Sequence, residues 1–150
     1  MDITAIIQSL VEKFPGVIID QSADRVTLTK EAVLPVFEFL KNGPAACVSL
    51  HGVTAVDRKE TVEVVYHVHS FQHRVMLTVK VILPNDNLNV PSLTSLWGAA
   101  DWMEREVFDL FGVRFEGHPD MRRILNPENW TGHPLRKDFQ MDGVVPRPVK

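Results

Sequence analysis

A single cysteine, Cys47, stands among 150 residues. No internal disulfide can form, and this chain's own thiolates cannot hold an iron–sulfur cluster or a structural zinc. Cys47 lies in an apolar run without a flanking cation, the setting of a small buried side chain rather than of a nucleophile. Long hydrophobic runs are missing too: none reaches the roughly 18 to 20 residues of a membrane-spanning helix. The first residues lack the basic and apolar regions of a signal peptide, so the chain is expected to be soluble and cytoplasmic. G-x-G-x-x-G, a P-loop, a G-x-S-x-G elbow and H-E-x-x-H are all absent.

What is present is enough apolar material, 45% of the residues, for one domain with a real core and an appendage. The net charge of −3 hides an asymmetry: residues 1–111 carry nine Lys and Arg against fourteen Asp and Glu, and residues 112–150 carry seven against five. The second stretch also holds five of the ten prolines and four of the eight glycines, which makes it poor material for a long helix or a central strand. Phe115, Met121, Ile124, Leu125, Trp130, Leu135 and Phe139 nevertheless give it apolar anchors that a disordered segment lacks. Acidic residues at Glu116, Asp120, Glu128 and Asp138 interrupt its basic character, which weakens any nucleic-acid footprint.

Helical spacing of Ile3, Ile6, Ile7, Leu10 and Val11 predicts a first helix stopped by Pro15-Gly16. Val17 to Asp20 and Arg25 to Thr29 predict a hairpin. Val33, Leu34, Phe37 and Leu40 predict a second helix within 30–42, with Pro35 in its first turn. A strand is expected over Ala45 to Leu50 and irregular chain over His51 to Asp57. Clean alternation in Thr61 to His69 and Val75 to Leu83 then predicts an antiparallel pair turning at Ser70 to Arg74.

A third helix is expected to start with Ser92 as its cap and to end near Gly112. Its apolar arc holds Leu93, Leu96, Ala100, Met103, Val107, Leu110 and Phe111. Trp102 and Phe108 fall on the polar side beside Arg105, where exposed aromatics mark a contact surface. Glu104 falls inside the apolar arc and therefore needs a partner, expected to be Arg122, Arg123 or Arg136. Glu104 and Glu106 point about 160° apart, so they cannot share a substrate. Beyond the helix, Gly117-His118-Pro119 and Gly132-His133-Pro134 are each followed by basic residues, Arg122-Arg123 and Arg136-Lys137. They read either as two successive basic elbows or as two unrelated turns. His67 and His69 share a strand face near His73, which opens the separate reading of a metal-dependent enzyme.

Glu104-Arg105-Glu106, Asp109-Leu110-Phe111-Gly112, Gly117-His118-Pro119, Arg122-Arg123-Ile124-Leu125, Pro127-Glu128, Trp130 and the run from Gly132 to Phe139 resemble a known signature. It is that of the 30 kDa, or C-type, subunit of proton-pumping NADH-quinone oxidoreductase, respiratory complex I. The resemblance implies an α+β, two-layer domain with a mixed, largely antiparallel sheet and three helices over residues 1–112, and an extended docking segment over 113–150. It implies an accessory subunit with no activity of its own, on the cytoplasmic side of the cell inner membrane and in contact with the membrane only through the complex. FMN and iron–sulfur clusters are implied on other subunits and no cofactor in this chain. The implied partners are the 49 kDa-type, or D-type, subunit and neighbouring peripheral-arm subunits, with no nucleic acid. The expected partner interface is Trp102, Arg105, Phe108, His118, Arg122, Arg123, Trp130, His133, Leu135, Arg136, Lys137, Asp138 and Phe139. Glu104, Glu106, Asp109, Gly112, Gly117, Pro119, Gly132 and Pro134 are expected to be structural. The equivalent subunit of a membrane-bound [NiFe] hydrogenase is the alternative within the same resemblance.

Overall fold

The computed structural model describes residues 1–137. The first helix, α1 (Ile3–Lys13), is capped by the Asp2 carboxylate, which accepts the Ala5 N–H at 2.8 Å. A hairpin of β1 (Ile18–Gln21) and β2 (Arg25–Leu28) follows, and a 3-10 turn leads into α2 (Val33–Asn42) with Pro35 in its first turn. The chain then crosses to the far side of the sheet as β3 (Ser49–Asp57). It returns through β4 (Thr61–Ser70) and β5 (Val75–Pro84), an antiparallel meander. Because the meander brings β5 back against β2, that one pairing is parallel, and the sheet order is β1-β2-β5-β4-β3. The fold is α+β, with a mixed, largely antiparallel sheet and three helices.

Alternation sorts the strands into two faces. Val62, Val64, Tyr66 and Val68 of β4 and Leu77, Val79, Val81 and Leu83 of β5 are buried. They form one core with Ile6 and Leu10 of α1 and Val36, Phe37 and Leu40 of α2. Phe37 meets Tyr66 at a ring separation of 5.0 Å and Trp97 at 6.0 Å.

Two expectations about elements are corrected. The strand after α2 occupies Ser49–Asp57, not Ala45 to Leu50. Ala46 takes a positive φ of 48° and the Cys47 N–H caps α2 on Leu40 O, while a register shift at Gly52 lets pairing continue through the stretch expected to be irregular. The third helix, α3 (Ala100–Phe111), starts seven residues later than a Ser92 cap implies. Residues 92–99 form turns instead, because the Ser92 hydroxyl and the Leu93 N–H are both held by the Glu104 carboxylate. The end of α3 is as expected: Gly112 is left-handed, φ +82°.

The core does not stop at Gly112. β6 (Asn89–Pro91) pairs in parallel with β7 (Arg114–Glu116), and Val113 and Phe115 are buried in the common core. The docking segment expected from residue 113 onward therefore begins as core structure.

Candidate docking site

Residues 117–137 form a strap that folds back along α3, and one carboxylate organises it. Asp109 is fully buried, and its Oδ2 accepts the successive backbone N–H groups of Ile124, Leu125 and Asn126 at 3.1, 2.7 and 2.8 Å. Its Oδ1 accepts Arg123 Nη1 at 2.7 Å and the Asn126 side-chain amide at 2.9 Å. Burial opposes ionisation of this group, but the bonds from Asn126, Arg123 and Leu125 outweigh burial and hold the carboxyl well below the usual range. A second Arg123 nitrogen reaches Gly132 O at 2.6 Å, tying the two halves of the strap to each other and to α3.

The two Gly-His-Pro units behave alike. Gly117 and Gly132 turn the chain with φ of +85° and +87°, and each histidine then turns toward α3. His118 accepts the Asp120 N–H on Nδ1, so Nε2 carries the proton and donates to Asp101 O at 3.1 Å. His133 Nδ1 donates to Asp109 O at 3.0 Å. A helix ends with unsatisfied carbonyls, and the strap satisfies those of α3: Arg123 and His133 on Asp109 O, the Leu135 N–H on Leu110 O, and Arg136 on Phe111 O. Both elbow histidines, expected at the partner interface, are half-buried and bond backbone carbonyls of α3.

The basic residues are engaged in the same way. Arg105 donates to Arg122 O and Arg123 O at 3.0 and 3.3 Å and lies 5.0 Å over the Trp102 ring. Arg122 pairs with Asp120 and Glu128. Arg136 pairs with the buried Asp57 at 3.0 Å and bonds Asn85 Oδ1 at 2.8 Å, while the Lys137 N–H donates to Asp57 at 2.8 Å. Burial again opposes the charge on Asp57, and bonds from Lys137, Lys59 and Arg136 lower its carboxyl below the usual range. Arg123 and Arg136 are thus neutralised inside the chain, because Asp109 and Asp57 lie within reach and cannot be buried unpaired.

Glu104 is also corrected. It is fully buried but bonds none of Arg122, Arg123 and Arg136; Ser92 Oγ and the Leu93 N–H donate to it at 2.6 and 2.8 Å. Burial pushes its carboxyl up to about 7, against the lowering effect of those two bonds. Glu106 is exposed, without a hydrogen bond among the described residues. Phe108 is half-buried between Arg114 and His133, and Trp130 is half-buried. Trp102, Leu125 and Leu135 are exposed by 64, 61 and 52%; Arg122, Pro119 and Lys137 are exposed as well, and Pro134 is half-buried. Asp138 and Phe139 lie outside the described residues. Sequence reasoning placed Leu125 only among the anchors of this segment and missed Asp57, Asn85 and Asn126. The three-residue advance from Arg123 to Asn126 carries no motif of its own, and Asp57 is remote in sequence.

Among the described residues no three His, Cys, Asp or Glu side chains come together to hold a metal ion. His67 bonds Thr78 Oγ1 at 3.1 Å and His73 bonds Pro44 O at 2.8 Å, so the imidazoles do not converge.

The C subunit of the NADH-quinone oxidoreductase of Geobacter metallireducens is 37% identical over 148 residues, 94% of this chain and 91% of that protein. The C/D subunit of the same enzyme in Psychrobacter arcticus is 36% identical over 151 residues, 91% of this chain and 26% of that longer polypeptide. Among solved structures, a chain of the membrane-bound sulfane sulfur reductase, an archaeal respiratory membrane complex, superposes with a TM-score of 0.74 at 30% identity, covering 92% of this chain and 85% of that one. The family described as the 30 Kd subunit of respiratory-chain NADH dehydrogenase matches residues 26–145, and the chain belongs to that family.

Proposed function

We propose that this chain is an accessory subunit of the peripheral arm of a proton-translocating NADH-quinone oxidoreductase, where it supports assembly beside the quinone-reducing module. The observation that carries this reading is the strap: a surface segment folded in advance on α3 by a buried carboxylate, with large apolar side chains left outside. Binding by a prefolded segment avoids the ordering cost of a loose tail. The partner is the 49 kDa-type, D-type subunit; the Psychrobacter relative, whose name joins C and D in one polypeptide, supports that adjacency.

Electron transfer belongs to other subunits, which carry FMN and iron–sulfur clusters. The chain's only thiol, Cys47, is buried, and burial pushes it up to about 11, a poor ligand for any cluster. Among the described residues no helix is long and apolar enough to cross a membrane; the position that goes with this reading is peripheral, on the cytoplasmic side of the inner membrane.

Deleting the gene and restoring it on a plasmid tests the proposal. The expected result is loss of the assembled complex and of membrane NADH:quinone activity, both recovered with the wild-type chain, and no NADH oxidation by the isolated chain. A complex that assembles and turns over fully without this chain overturns it. Purification with a nickel enzyme that evolves hydrogen, in place of a flavin enzyme, assigns the hydrogenase role instead.

A further inference from the structure

The expected partner interface combines aromatic and aliphatic side chains with the basic residues of the strap, but Arg122, Arg123 and Arg136 have acids of their own. Arg123 is paired with Asp109, Arg136 with Asp57, and Arg122 with both Asp120 and Glu128. Arg105 directs its donors to two backbone carbonyls. Of the strap's basic residues only the exposed Lys137 has no ion pair among the described residues, and the large apolar side chains left exposed there are Leu125 and Leu135.

Trp102 and Asp109 are seven residues apart on α3 and so lie on one face, about 10 Å along the axis. Arg105 lies on the same face between them, and the strap runs beside it, its Arg122 and Arg123 carbonyls at Arg105 and its Leu125 N–H at Asp109. The exposed Trp102 and Leu125 therefore mark the two ends of one ridge, with Leu135 beyond it where its N–H caps Leu110. The ridge is rigid. The Arg105 guanidinium covers one face of the Trp102 ring, and the Leu125 backbone is one of three consecutive residues bonded to Asp109. A tryptophan held in this way loses little entropy on binding and is the kind of side chain that carries much of an interface's energy, while Leu125 adds apolar area beside it.

We infer that the ridge from Trp102 to Leu125 is the primary contact with the D-type partner, and that the complementary surface is an apolar groove rather than an acidic patch. The inference rests on the accessory-subunit reading above, and the shared polypeptide of the Psychrobacter relative is what commits the occupant to the D-type body rather than to a second copy.

The test uses the full chain co-expressed with the D-type subunit. Wild type is compared with Trp102→Ser/Leu125→Ser on the ridge and with Phe71→Ser/Met76→Ser at the other end of the sheet, with folding checked by circular dichroism. The ridge variant is expected to weaken association by about 100-fold. The sheet variant should leave it unchanged, and wild-type affinity should vary less than about 3-fold between roughly 0.05 and 0.5 M salt. Undiminished binding of a folded ridge variant, or a steep fall of wild-type affinity with salt, overturns the inference. A sheet variant that alone abolishes binding reassigns the interface and overturns it too. A wild-type chain that never joins the D-type subunit refutes the underlying reading, and the ridge falls with it.

Discussion

Arg123 donates both to the carboxylate of Asp109, at 2.7 Å, and to the carbonyl of the same residue, at 3.0 Å, in a pair that leaves Asp109 fully buried and Arg123 10% exposed. The pair joins a helix to a segment fourteen residues downstream. Through the further bond of Arg123 to Gly132 O it also fixes the second elbow. Removal of either partner leaves a charge buried without compensation, so the pair acts as the fastening of the strap.

Asp109→Ala is accordingly expected to destabilise the protein by about 3 to 5 kcal/mol, because Arg123 and three backbone N–H groups lose their acceptor together. Thermal unfolding should show the loss, and amide exchange should show protection falling first at Ile124, Leu125 and Asn126. Unchanged protection at those amides would mean that the strap is held by something else. Because the Asp109 and Asp57 carboxyls are both lowered by folding, their stabilisation is present above the ordinary aspartate range and is lost as pH falls below it. The strap should open in acid.

Gly112 serves two needs at once. Its φ of +82° disfavours any L side chain, and a Cβ there would lie 2.7 Å from His133 Cδ2. Gly112→Ala should cost about 1 to 2 kcal/mol from backbone strain alone and more from the clash. In Gly112→Ala/His133→Ala the clash is gone but the strain is not. The double variant should therefore be less destabilised than the two single changes predict together, and simple additivity in denaturant titrations would contradict this contact.

Glu104 gives the opposite pH dependence to the aspartates. Its carboxyl is raised to about 7 by burial, so the folded state takes up a proton more readily than the unfolded state. The sign then follows: stability is greatest below the unfolded glutamate range, declines as pH rises toward about 7, and is level above it. Glu104→Gln, which keeps an acceptor for the Leu93 N–H, should remove that slope and gain about 2 to 3 kcal/mol at pH 8. A variant whose stability falls between pH 5 and 8 as steeply as wild type would rule out Glu104 as the source.

The elements set by local pattern were legible in the sequence. Period-2 alternation in Thr61 to His69 and Val75 to Leu83 predicts the central hairpin, and helical spacing ended by Gly43 and Gly112 locates where α2 and α3 stop. Local pattern failed where a distant group competed for the backbone. Ser92 looks like a helix cap until Glu104, one helical turn into α3, takes both its hydroxyl and the next N–H. The strand β3 was hidden because Gly52 interrupts its alternation, and only pairing with β4 shows that the interruption is a bulge.

The strap divides along the same line. Its signature residues, its two glycine-led turns and its family were all determined by the sequence alone, since they depend on residue identity and short-range geometry. Whether its charges face a partner or its own helix was not. Asp57 is 79 residues from Arg136 and Asp109 is 14 from Arg123, and a buried carboxylate captures whichever cation the fold brings within reach. That capture is a tertiary event. It turned a segment that reads as basic into one whose exposed chemistry at Leu125 and Leu135 is apolar.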